Sequence, residues 1–264
     1  MAIANSLAFL LYLSCSVILI RNFVQRSQQS SILFPIGIMT VLALIFHGAD
    51  IFLTMEDGWD LSLFSTLAVA TWLMAFIALI LGARQKTAHP GIIIYPLVAL
   101  SLILKTSVPS EPITTLANPA LEWHILLSLA AYSLFTLAAL QAIILAIQEQ
   151  QLRQRHLVGL IRKLPPLQSM ETTLFQLISA GFILLTLGLT TGLFFIQDIF
   201  AQHLIHKTVL SLIAWCVFAM LLQGRLRYGW RGKTAIKWTL VGFVFLVFAY
   251  FGSKFVLEFL ITHA

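Results

Sequence analysis

Residues 123–147 read WHILLSLAAYSLFTLAALQAIILAI, a run of 25 positions without one Asp, Glu, Lys or Arg. A helix needs about 20 apolar residues to cross the hydrocarbon of a bilayer, so this stretch decides the fold class. Lipid offers no partner to a backbone N–H or C=O, so each spanning segment must satisfy its own, and runs of this kind are helices. Outward from it, apolar stretches recur near 5–20, 32–54, 62–83, 91–107, 174–197, 206–223 and 236–259. The stretch at 91–107 is the weakest. Its core GIIIYPLVALSLIL is short, contains Pro96 and runs into Lys105, a lysine placed to snorkel to the interface.

Hydrophobic residues make up 59% of the chain and charged residues 10%, against about a quarter charged in soluble domains. No single soluble core can hide that much apolar surface, and membrane lipid is the first partner it implies. The net charge of +6 does not indicate nucleic acid, because the positive residues sit in short loops between apolar spans. Cys15 and Cys216 lie in apolar runs without a metal-type spacing, and both are expected to be buried thiols. The opening MAIANSLAFLLYLSCSVILI lacks a basic leading segment, so it reads as the first span and not as a cleaved signal peptide.

The basic residues alternate in sidedness. Arg21 and Arg26, Arg84 and Lys86, Arg153, Arg155, Arg162 and Lys163, then Arg225, Arg227, Arg231, Lys233 and Lys237 fall in every second loop. Lys105, Lys207 and Lys254 are the exceptions. The positive-inside rule places the basic loops in the cytoplasm. The expectation is an all-α, polytopic membrane bundle of about eight transmembrane helices, with both termini on the non-cytoplasmic side and residues 1–264 forming one domain. The fifth helix is expected to run on to about residue 162 and break before Pro165–Pro166, since proline lacks a donor and clashes with the preceding turn. Ser169 reads as a cap for the sixth helix. The acidic stretch Glu56, Asp57, Asp60 has no calcium-loop spacing and reads as a solvated loop. Trp59 and Trp123 fit an interfacial aromatic belt.

Of seven histidines, His89 and His156 fall in basic loops and read as solvated. His47, His124, His203, His206 and His263 belong to the other half of the membrane. His47 is embedded in VLALIFHGADIFL, with Asp50 about one helical turn away on the same face. His124 opens its span, and Ser128 and Tyr132 continue its face. His206 stands beside Lys207, a candidate for an anionic ligand group or an interfacial lysine. Each histidine alone reads as an interhelical hydrogen bond. Together, imidazoles on separate helices at similar depth supply what a metal or haem iron requires. The chain carries no nucleophile–base arrangement, P-loop, dinucleotide fingerprint or HExxH, so nothing demands an enzyme.

Several stretches are familiar as a set. WHILLSLAAYSLFTLAALQAI, with its histidine followed by Ser-x-x-x-Tyr, HKTVLSLIAWCVFAMLL (206–222), FAYFGSKFV (248–256) and, more weakly, GWDLSLFSTL (58–67) resemble the CcsA-type cytochrome c assembly protein family. PPLQSMETTLFQLISAGFILLTLGLTTGLFF (165–195) and YGWRGKTAIKW (228–238) resemble its YpjD-like, HemX-like branch in particular. The resemblance covers nearly the whole chain. It implies a multi-pass protein of the bacterial inner membrane that handles haem at the outer face, with His124 matching the first external haem-ligand histidine and membrane proteins of the cytochrome c or haem pathways as partners. The chain departs from the family where FIQDIFAQHLIHK (195–207) replaces a tryptophan-rich signature and where Gln223 stands in place of a histidine. His263 does not match the second external histidine. The haem reading therefore names His124, then His206 with Lys207, then His47. The alternatives are a non-haem accessory or transport-associated scaffold, and a regulator of haem synthesis.

Overall fold

The computed structural model describes residues 2–25, 30–55, 60, 62–85, 89–108, 119–154, 164–195 and 202–252. These residues form eight α-helices and no strand. They are α1 (Ala2–Gln25), α2 (Ser30–Met55), α3 (Leu63–Gln85), α4 (His89–Ser107), α5 (Pro119–Arg153), α6 (Leu167–Phe195), α7 (Gln202–Tyr228) and α8 (Gly232–Val247), the last continued by a π-helical turn at Phe248–Gly252. Seven are long and apolar enough to cross a membrane. The eighth is α4, whose apolar part, Gly91–Ser107, is shorter. Pro96 stands inside it, which a membrane helix tolerates when neighbours re-satisfy the freed carbonyl.

The helices group into two compact units, Met1–Ala117 and Asn118–Ala264. In the first, α1 packs on α2 and α4, and α3 packs on α4 and α2. Small residues line its interior, with Ala8, Ala43, Ala68, Ala75 and Ala78 all buried, so the backbones can approach closely. In the second, α5 packs on α6 and α8, and α7 on α6 and α8. Its centre is a stacked pair of rings, Phe135 of α5 and Phe218 of α7, with centroids 3.9 Å apart. Two glycines make room for that pair. A Cβ on Gly181 of α6 would lie 3.1 Å from the Phe135 ring, and one on Gly242 of α8 would lie 2.7 Å from the Phe218 ring.

Four local expectations are corrected here. α6 begins at Leu167, directly after Pro165–Pro166, so Ser169 is inside its first turn and is not its cap. The Pro166 carbonyl takes the first bonds, from Ser169 N at 2.9 Å and Met170 N at 3.2 Å, and proline needs no donor at a helix start. Asp60 is more than a solvated loop residue. Its carboxylate accepts from Ser62 N at 2.9 Å and from the Ser65 hydroxyl, holding the turn that opens α3. Cys15 is buried as expected, but Cys216 is exposed on α7, because an apolar span carries apolar residues on its outward face as well. Lys105, read as snorkelling, instead pairs with Asp50 at 2.7 Å. The helical continuation expected at 155–162 lies outside the described residues, as do Glu56, Asp57 and Trp59.

Candidate functional site

His124 stands on the first turns of α5, partly buried against α6. Its Nδ1 lies 2.8 Å from the carbonyl oxygen of Gly188 and 3.4 Å from Thr191 Oγ1. A carbonyl oxygen can only accept, so Nδ1–H donates, and in the neutral ring the Nε2 lone pair is left for another partner. α6 can come this close because of its glycines. A Cβ on Gly192 would lie 2.9 Å from His124 Cε1, and one on Gly188 would lie 3.3 Å from Ser128 Oγ. The matching runs along the whole contact. Phe135, Ser128 and His124 on α5 face Gly181, Gly188 and Gly192 on α6, with the same spacings of 7 and 4 in reverse order. Two antiparallel helices thus meet large residue to glycine, and the last of these meetings sets the imidazole.

Tyr132, two turns further along the His124 face, is half-buried and packs against Tyr250 of the π-helical turn, with ring centroids 5.5 Å apart. Its hydroxyl is hydrogen-bonded with Ser211 of α7. α7 is tied to α6 by Trp215, whose Nε1 donates to Thr186 Oγ1 at 2.9 Å. Lys207 and His206 lie on the opening turns of α7, in the same unit as His124. Lys207 is partly buried and makes no ion pair among the described residues. The His206 side chain lies outside the described ones, as do those of His89 and His203. Trp123 is 64% exposed next to His124.

His47 belongs to the first unit. It is wholly buried in α2, with the Tyr12 ring of α1 edge-on at a centroid distance of 6.0 Å. Asp50 does not orient its ring, as the one-turn spacing suggested. The Asp50 carboxylate is taken by Lys105 of α4, whose ammonium also donates to Thr54 Oγ1 at 3.3 Å. A cation on a packed neighbour outcompetes a neutral donor on the same helix. Both His47 nitrogens are buried without a hydrogen-bond partner among the described residues. There, too, no three His, Cys, Asp or Glu side chains gather into a metal-holding group.

The profile described as Cytochrome C assembly protein matches residues 3–261. This chain belongs to the cytochrome c assembly protein family. The Inner membrane protein YpjD of Escherichia coli (strain K12) is 36% identical over 224 residues, which cover 83% of this chain and 85% of that protein. Protein HemX of Brevibacillus brevis is 21% identical over 255 residues, 93% of each chain. The Cytochrome c biogenesis protein CcsA of Porphyra purpurea is 21% identical over 281 residues, 86% of this chain and 88% of its own. No solved structure matches the chain significantly. In this member of the family, Gly188, Thr191 and Gly192, which hold the His124 ring, were not among the candidate residues of the sequence. The signal was present in LGLTTGLFF, where two glycines four apart mark a close-packing face. What it lacked was the identity of the helix that would use that face.

Proposed function

We propose that this protein binds haem at the non-cytoplasmic face of the bacterial inner membrane and hands it on within cytochrome c assembly. The observation that carries the reading is the His124 Nδ1 to Gly188 carbonyl bond. Histidines that ligate iron commonly donate their other ring nitrogen to a backbone carbonyl, which fixes the tautomer and aims the free lone pair. An axial ligand needs only one such imidazole, so no larger cluster of metal-binding side chains is required. Haem itself would supply the iron. The chain would supply His124 as a ligand, the Gly188–Gly192 face that holds its ring, and Lys207 as a cation for a propionate. His206 is the second candidate ligand. His47, enclosed in the other unit, stands third. The relatives named for cytochrome c biogenesis and the inner membrane support both the process and the compartment. The proposed role is binding and transfer, with membrane proteins of the same pathway as partners.

The test is spectroscopic. Protein expressed with ample haem and purified in detergent should show a Soret band and a positive pyridine-haemochrome assay. His124→Ala should lose most of that haem, or shift its spectrum, while still inserting. His89→Ala and His156→Ala should match the wild type. Equal haem content in the wild type and in a triple alanine variant of His47, His124 and His206 would sink the reading and leave the scaffold alternative standing.

A further inference from the structure

Among the described residues, His47 is the one side chain with two buried polar atoms that are both unpaired. The hydroxyl of Tyr12, whose ring packs at right angles to the imidazole, is also buried and unpaired. Both residues are 0% exposed. Leaving such groups dry is strongly unfavourable, and native proteins satisfy them with protein or with ordered water. No protein group among the described residues does so. On either side of this gap the polar contacts are complete. Toward the end of α4 lies the Asp50–Lys105 pair. Toward the interior, Tyr95 packs on Tyr12 with ring centroids 5.9 Å apart and accepts from Thr40 Oγ1 at 3.2 Å.

We propose that His47 and Tyr12 line a buried water site, whose water joins the Asp50–Lys105 pair to the Tyr95–Thr40 hydrogen bond along the seam of α1, α2 and α4. The chemistry of the gap selects the occupant. A neutral imidazole presents one donor and one acceptor, and a tyrosine hydroxyl presents both. The occupant must therefore donate and accept at once, and it must be small, because the surrounding side chains leave neither residue exposed. Water meets both conditions, and a buried water typically makes about three hydrogen bonds.

Radiolytic hydroxyl labelling, in which water activated in place oxidises adjacent side chains, reads this directly by mass spectrometry on the full chain in detergent. At a dose that oxidises Tyr228, which is 74% exposed, Tyr12 should be labelled severalfold above Phe135, which is equally buried but stacked on another ring. His47→Leu should lower Tyr12 labelling severalfold while Tyr228 labelling stays at the wild-type level. Tyr12 labelling no higher than that of Phe135 in the wild type would overturn the proposal, and that comparison needs no variant to fold. A loss of the haem spectrum in His47→Leu, with Tyr12 unlabelled in the wild type, would also overturn it and assign the ring to iron.

Discussion

Asp50 has two possible partners, and charge decides between them. His47 is three residues away on the same helix, whereas Lys105 is 55 residues away on α4, yet the ammonium takes the carboxylate at 2.7 Å. The pair is well shielded, with side-chain exposures of 15% and 6%. Removing one member of such a pair leaves an uncompensated charge, at a cost of about 3–5 kcal/mol, whereas replacing both with apolar residues of similar volume is often neutral. Asp50→Ala should therefore lower the thermal midpoint in detergent markedly, and Asp50→Leu combined with Lys105→Met should recover most of it. Two single substitutions that simply add would show that the residues do not interact. At His124 the same scale governs the candidate site. Its ring is held by a carbonyl 64 residues on, a partner that no local pattern names.

At the scale of elements, glycines set how closely α6 can lie against α5. A Cβ on Gly192 would meet the His124 ring at 2.9 Å, whereas one on Gly37 of α2 would meet nothing within 4 Å. Overpacking of this kind costs about 1–3 kcal/mol, whereas an unobstructed helical Gly→Ala gains about 0.5–1 kcal/mol. Gly192→Ala should thus lower the thermal midpoint and, if His124 ligates haem, shift the Soret band. Gly37→Ala should do neither. Equal midpoints for the two would contradict the packing. A second element-scale device joins α7 to α8. Gly229 and Gly232 have φ of 66° and 52°, a left-handed backbone that glycine adopts without strain. Gly229 N–H closes α7 on the Arg225 carbonyl at 3.2 Å, and Gly232 N–H donates to the Glu171 carboxylate of α6. A carboxylate at a helix start satisfies an open donor and the helix dipole together. Glu171→Ala should cost about 1 kcal/mol, measured by thermal unfolding.

For the whole molecule, the distribution of Lys and Arg predicts a topology. Residues 148–173 and 224–237 should face the cytoplasm and position 57 the opposite side. In a background without Cys15 and Cys216, Asp57→Cys should react with an impermeant maleimide from the non-cytoplasmic side and Gln154→Cys only after lysis. Labelling of position 57 from the cytoplasm alone would refute the topology. Hydropathy along the chain already determined the helical class, the number and order of the helices and the weakness of the fourth, and its motifs carried the resemblance that the family profile bears out over residues 3–261. These properties belong to one helix at a time, so a one-dimensional reading reaches them. The partners of Asp50 and His124, the exposure of Cys216 and the isolation of His47 were decided only by packing. The physical reason is that lipid is as apolar as the helix interior. A membrane span therefore carries no hydrophobic stripe to mark its inward face, and which polar side chains meet is settled only when helices far apart in sequence come together.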